Sequence, residues 1–158
     1  MFNNDIKFMR LAIAKAREGI KKGQAPFGAC IVKNGKVIAC SHNIVWESLD
    51  ITAHAEINAI RTTCKKLKSV DLSGCTIYST CEPCPMCFSA CHWGRISRIV
   101  FGARIKDARD FGFNELSISN LKMKQLGSSK IKVDAGVLAK ENQELFSFWQ
   151  KQPGSRIY

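Results

Sequence analysis

Two short segments carry metal-ligating and acid–base side chains at spacings that chemistry can use. The first is Thr52-Ala53-His54-Ala55-Glu56 and the second is Cys81-Glu82-Pro83-Cys84-Pro85-Met86-Cys87. Cys84 and Cys87 are three residues apart, so in the first turn of a helix their sulfurs fall on one side. Side chains lean toward a helix's N-terminus, and a metal placed off that end is within reach of both thiolates. The unpaired N–H groups and the positive dipole end there also lower a thiol's pKa. His54 adds an imidazole from the other segment. Three protein ligands leave one position of a tetrahedral Zn2+ open, the pattern of a catalytic site. Water in that position ionises near neutral pH, and Glu56 is then the expected proton shuttle. The chemistry this points to is metal-assisted hydrolysis.

Other readings of the same cysteines stay open. Cys84-Pro85-Met86-Cys87 also has the form of a redox pair, although that leaves His54 and Glu56 without a role. Cys81, Cys84, Cys87 and Cys91 have the spacing of a ferredoxin iron–sulfur run. His92 rather than proline follows it, however, and there is no second run. A closed structural zinc site with Cys81 or Cys91 as fourth ligand is a further alternative. Cys91 lies one helical turn beyond Cys87 and so points away from the helix start. The remaining cysteines, Cys30, Cys40, Cys64 and Cys75, stand alone in apolar surroundings and read as small core residues.

The elements that must position these groups follow from the hydrophobic pattern. Ile6, Met9, Ile13, Ala16 and Ile20 mark one face of a helix, with Asn4 or Asp5 as its N-cap and Gly23 as its stop. Gly28–Val32 and Val37–Cys40 are strand-like runs around Asn34-Gly35, which predicts a hairpin. Thr52 is the expected cap of a helix over 53–66. A strand at 75–80, a helix at 84–94 and a strand at 98–101 follow. A long loop with one short helix then leads to a strand at 131–133 and a closing helix over 137–150. On an ideal helix Glu56 lies about 200° around from His54, so the two converge only if the site sits off the first turn. Alternation of strands and helices after the hairpin implies parallel strands and right-handed crossovers. The fold class is α/β: three layers, α/β/α, with a mixed sheet of about five strands. Residues 1–158 read as one domain with an irregular tail from about 151.

Composition narrows the class. Hydrophobic residues are 46% and charged residues 23% of the 158-residue chain, an ordinary globular balance. The first ten residues hold no apolar signal core and no stretch is long enough to span a bilayer, so the expectation is a soluble cytoplasmic protein. The formal net charge is +11. The basic residues are scattered in small groups such as Lys65-Lys66-Lys68 and Arg104-Lys106-Arg109. A solvated surface and a nucleic-acid footprint both remain open.

His54-x-Glu56 followed by Pro83-Cys84-x-x-Cys87 is the pattern of zinc-dependent nucleobase deaminases. The chain resembles the cytidine deaminase superfamily, in the branch that holds bacterial guanine deaminases and tRNA adenosine deaminases. The resemblance runs from Ala25-Pro26-Phe27-Gly28-Ala29 to the C-terminal helix. Thr80-Cys81, Trp93, Asp107-Ala108, Phe111-Gly112-Phe113 and Tyr158 are similar to the guanine deaminase subgroup. The tRNA enzymes usually have leucine where Cys81 stands and a Gly-Ser loop where 111–115 lies.

The resemblance implies that His54, Cys84 and Cys87 hold zinc and that Glu56 is the acid/base. It implies that Asn43 reads the base edge, that Phe27 and Trp93 wall the pocket, and that the Ala55 N–H contacts the reacting position. Glu115 stands where guanine deaminases usually carry aspartate. An ionised carboxylate is acceptor-only, which suits the N1–H and amine donors of guanine better than the N1 acceptor of adenine. The implied reaction is guanine plus water to xanthine plus ammonia. The implied partner is a small purine, in a homodimer, with Tyr158 over its own site or, by an exchanged C-terminal segment, over a partner's. Adenosine-to-inosine deamination in tRNA is the alternative, with guanosine or cytosine as further substrates.

Overall fold

A computed structural model describes residues 2–158, with side chains from Asn4 onward. Helix α1 (Phe2–Lys21) leads into strands β1 (Gly28–Lys33) and β2 (Lys36–His42). A short helix α2 (Val45–Ser48) and the longer α3 (Ala55–Leu67) precede β3 (Cys75–Cys81). Then come α4 (Pro85–Trp93), β4 (Arg98–Ala103), α5 (Ile105–Asp110), α6 (Asn120–Leu126), β5 (Lys132–Ala135) and α7 (Ala139–Gln150). The five strands form one sheet in the order β2-β1-β3-β4-β5. β1 is antiparallel to β2 and β3, whereas β3, β4 and β5 are parallel. Helices α1 and α7 pack beside each other against the sheet, and α3 lies on β1 and β2 with α4 beside it.

The local reasons are visible in the chain. Asn34 and Gly35 take φ of 50° and 71°, the left-handed pair a two-residue hairpin demands. The buried stripe of α1 includes Met9, Ile13, Ala16 and Ile20, widened by Phe8 and Ala12. Gly102 in β4 leaves a slot that the Asn142 amide fills, where a Cβ would overlap it. Asn142 Nδ2 donates from that slot to the carbonyls of Val137 (3.1 Å) and Leu138 (2.9 Å), which fixes the start of α7.

Several expected boundaries move. α1 already runs through Asn4 and Asp5, so neither caps it. The Asp5 carboxylate instead accepts a bidentate pair from Arg98 (2.8 and 3.0 Å) and a hydrogen bond from Tyr78 Oη (2.8 Å). Thr52 does not cap α3: its N–H and hydroxyl both donate to Asp50 Oδ1, and the N-cap is His54. The single helix expected between β4 and β5 is two, α5 and α6, whose starts are held by one buried carboxylate described below. Among the described residues no helix is long and apolar enough to cross a membrane.

Candidate metal centre and pocket

Two helix starts meet at the carboxyl end of β3. His54 is the N-cap of α3 (φ −65°, ψ 158°) and Cys84 the N-cap of α4 (φ −62°, ψ 167°), both extended. Neither uses its side chain to cap its own helix. Pro85 occupies the first turn of α4, where its missing N–H costs no hydrogen bond. The extended cap resolves the 200° difficulty, because His54 stands outside the helical spiral that carries Glu56.

His54 Nδ1 lies 3.7 Å from Cys84 Sγ and 3.6 Å from Cys87 Sγ, and all three donor atoms lie within 4.8 Å of one another. Zinc with bonds of about 2.3 Å to sulfur and about 2.0 Å to nitrogen separates tetrahedral ligands by about 3.6 Å. The donor set therefore fits the ion, and Nδ1 is the imidazole atom that faces it. Without a metal, the two neighbouring cysteines favour a single thiolate on Cys84. The bond with Cys87 and the His54 imidazole hold Cys84 down to about 4 against its burial. The same bond and burial push Cys87 well up. A divalent cation would hold both as thiolates. Burial pulls the His54 imidazole down, but Cys84, Glu56 and Glu115 outweigh it and the net direction is up.

Glu56 is 6% exposed and accepts a hydrogen bond from Ser79 Oγ at 2.9 Å. Burial pushes its carboxyl above the ordinary range, with His54 opposing. Glu115 is pushed up to about 7, first by burial and then by the charges of Cys84 and Glu56.

A cavity of about 280 Å³ opens on this set, lined among others by His54, Cys84, Met86, Phe113, Glu115 and Tyr158. That volume lies just below the usual span of small-molecule sites, about 300–1,000 Å³. The tail folds back over it. Asn43 is fully buried, its Oδ1 accepts from the Val45 N–H (3.1 Å), and its Nδ2 donates to Tyr158 Oη at 2.6 Å. Tyr158 also meets the Phe113 ring edge-on, with centroids 5.8 Å apart. Arg156 stacks on Trp46 at 3.9 Å, and Trp46 Nε1 donates to the Arg156 carbonyl.

The fold thus brings together His54, Cys84, Cys87, Glu56, Asn43, Glu115 and Tyr158. Phe27 stands one layer back, packed edge-on to Phe113 (5.0 Å) and Phe146 (5.8 Å). Ala55 is the first residue of α3, so its N–H is one of those a helix start leaves unpaired. Trp93 is not brought to the pocket: it ends α4, away from the metal-bearing N-terminus, and is 84% exposed.

Sequence reasoning overlooked three residues. Ser79 could have been found as a hydroxyl inside an otherwise apolar strand. Phe113 was part of a recognised pattern but had no role assigned. Glu82 had no local signal. It is 5% exposed, and its carboxylate accepts the N–H groups of Asn120 (2.8 Å) and Ile105 (3.4 Å), anchoring the starts of α5 and α6.

The sheet order, the His-Cys-Cys set and the buried glutamate define a zinc-dependent deaminase. The chain belongs to the cytidine and deoxycytidylate deaminase zinc-binding family, whose model matches residues 2–103. It is 44% identical to a guanine deaminase of Bacillus subtilis over 113 residues, 71% of this chain and 72% of that one. It is 36% identical to a tRNA-specific adenosine deaminase of the same organism over 137 residues, 87% and 83% of the two chains. The solved structure of guanine deaminase from Nitrosomonas europaea superposes with a TM-score of 0.86 at 28% identity, covering 93% of this chain and 85% of that one. Zinc is the cofactor of the family, and the enzyme class is an aminohydrolase.

Proposed function

We propose that the chain converts guanine and water to xanthine and ammonia, working as one catalytic unit over residues 1–158 with a covering tail from about 151. The observation that carries the choice of base is Glu115, whose carboxyl lines the cavity beside the metal set. The donors of guanine favour its ionised form, and their binding draws its pKa below the value of about 7 it has alone.

His54, Cys84 and Cys87 hold the zinc, which when bound supplies a hydroxide nucleophile at neutral pH. Ser79 fixes one oxygen of Glu56 and leaves the other for proton transfer. Glu56 takes the proton of the attacking water and delivers protons to the ring nitrogen and to the departing amine. A C–O bond forms at the amine-bearing carbon as the adjacent ring nitrogen takes a proton, which leaves that carbon tetrahedral; its C–N bond then breaks as the hydroxyl proton passes to the amine, which leaves as ammonia. The Ala55 N–H contacts the reacting position, and Asn43, whose amide also holds the Tyr158 hydroxyl, reads the base edge. Phe113, backed by Phe27, and Tyr158 wall the base and exclude water.

The reading extends to a cytoplasmic homodimer in purine metabolism. Exposed Trp93 and Leu126 are apolar surface available to a second copy. An exchanged tail would keep the same Asn43 and Trp46 contacts. The +11 charge favours the alternative reading, deamination of adenosine in a tRNA, the substrate class in the name of the tRNA-specific adenosine deaminase relative.

Ammonia release by the zinc-loaded protein from guanine, guanosine, adenine, cytosine, cytidine and a tRNA anticodon hairpin tests this. Turnover of guanine is the expected result. Turnover of the hairpin alone would overturn the guanine assignment.

A further inference from the structure

Away from the metal centre a second pair of cysteines meets. Cys30 and Cys40 are register partners across the β1–β2 hairpin. Direct cross-strand partners share a face, with Cβ atoms about 4.5–5.5 Å apart. Here the two sulfurs are 2.7 Å apart, against a disulfide bond of about 2.05 Å. Closing the bond asks for well under ~1 Å of movement. β2 is an edge strand, so it can move without disturbing a neighbour on its outer side.

The two thiols differ in access. Cys30 is fully buried against the sheet interior, flanked on its other side by Tyr78 of β3. Cys40 is half-buried and opens on a cleft whose lining includes Lys15, His42, Arg61 and Lys65. A partly exposed thiol in basic surroundings is the reactive kind, and an adjacent thiol reachable only through it is the resolving kind. The hydrogen bond with Cys30, then Lys15 and Lys66, draws the Cys40 thiol below its ordinary pKa. The same bond and burial raise that of Cys30.

We propose that Cys30 and Cys40 are a redox couple that a hydroperoxide closes to a cross-strand disulfide. The Cys40 sulfur attacks the peroxide, the O–O bond breaks, and one oxygen leaves as water or an alcohol while Cys40 becomes a sulfenic acid. The Cys30 sulfur then displaces that oxygen, which departs with the Cys30 proton as a second water. Two thiols lose two electrons and the hydroperoxide gains them.

The test treats the zinc-loaded full chain with graded hydrogen peroxide, alkylates the free thiols, and maps tryptic peptides by mass spectrometry. The expected product joins Gly23–Lys33 to Val37–Arg61, each of which holds one cysteine. Its mass is lower by two hydrogens, both alkylation sites are lost together, and dithiothreitol restores them. Cys30→Ser should stop at a sulfenic acid on Cys40 that a cyclic 1,3-dione traps. The proposal is overturned if Cys30 and Cys40 both remain fully alkylated at peroxide doses that already oxidise Cys84 or Cys87. It is equally overturned if Cys30 is found joined to any other cysteine. The wild-type map decides the matter even if a serine variant does not fold.

Discussion

The parallel strands carry carboxylates at both ends, in opposite conditions. At the amino end of β4, Asp5 is wrapped by Arg98 and Tyr78, and Arg98 reaches on to Asp134 at 2.6 Å. The Arg98 guanidinium is the main reason the Asp5 carboxyl sits below the usual range. At the carboxyl end of β3, burial pushes Glu56 and Glu115 above it. Ligands of α/β sheets gather at the carboxyl ends of strands. A carboxylate with every acceptor site satisfied is structural, whereas one left short of donors exchanges protons readily.

The sharpest way to break this contrast is to neutralise one end at a time. Glu56→Gln should keep one zinc per chain and lower kcat by about 10²–10⁴-fold, the range for losing a general acid–base. Steady-state kinetics with metal analysis checks it, and retained turnover with zinc bound would remove Glu56 from the chemistry. Glu115→Gln should act on choice rather than rate. It should lower the kcat/KM ratio of guanine over adenine by about tenfold, the value of roughly 1.4 kcal/mol of lost charge-assisted bonding, with competition assays as the readout. Asp5→Asn should leave kcat unchanged and cost about 2 kcal/mol of folding stability, as for a hydrogen bond to a charged group.

The sign of the pH effect follows from the lowered pKa of Asp5. Its stabilisation is fully present above the ordinary aspartate value of 3.8 and is lost as pH falls through the lower folded value. Urea denaturation from pH 5 downward should show that loss in the native chain and much less of it in Asp5→Asn.

The metal centre was legible because its spacing is local: two cysteines three residues apart and a His-x-Glu step need only a helix start each. The sheet was legible from the Asn34-Gly35 turn and the alternation after it. Contacts between distant segments were not. Asn43 and Tyr158 are 115 positions apart and Glu82 and Asn120 are 38 apart, and no periodicity links them. Thr52 misled because an aspartate two residues earlier competes for its hydroxyl. Trp93 misled because a resemblance transfers residue type but not surroundings, and in this chain its ring stands in the open.

Gly102 takes part in no chemistry, yet it governs where the lid of the pocket is hung. The hydrogen in place of a side chain admits the Asn142 amide, that amide sets the first turn of α7, and α7 runs directly into the residues that end at Tyr158. A single missing methyl in β4 is thus a hinge pin. A fault there would be felt as a door that no longer meets its frame, with every ligand of the metal still in place.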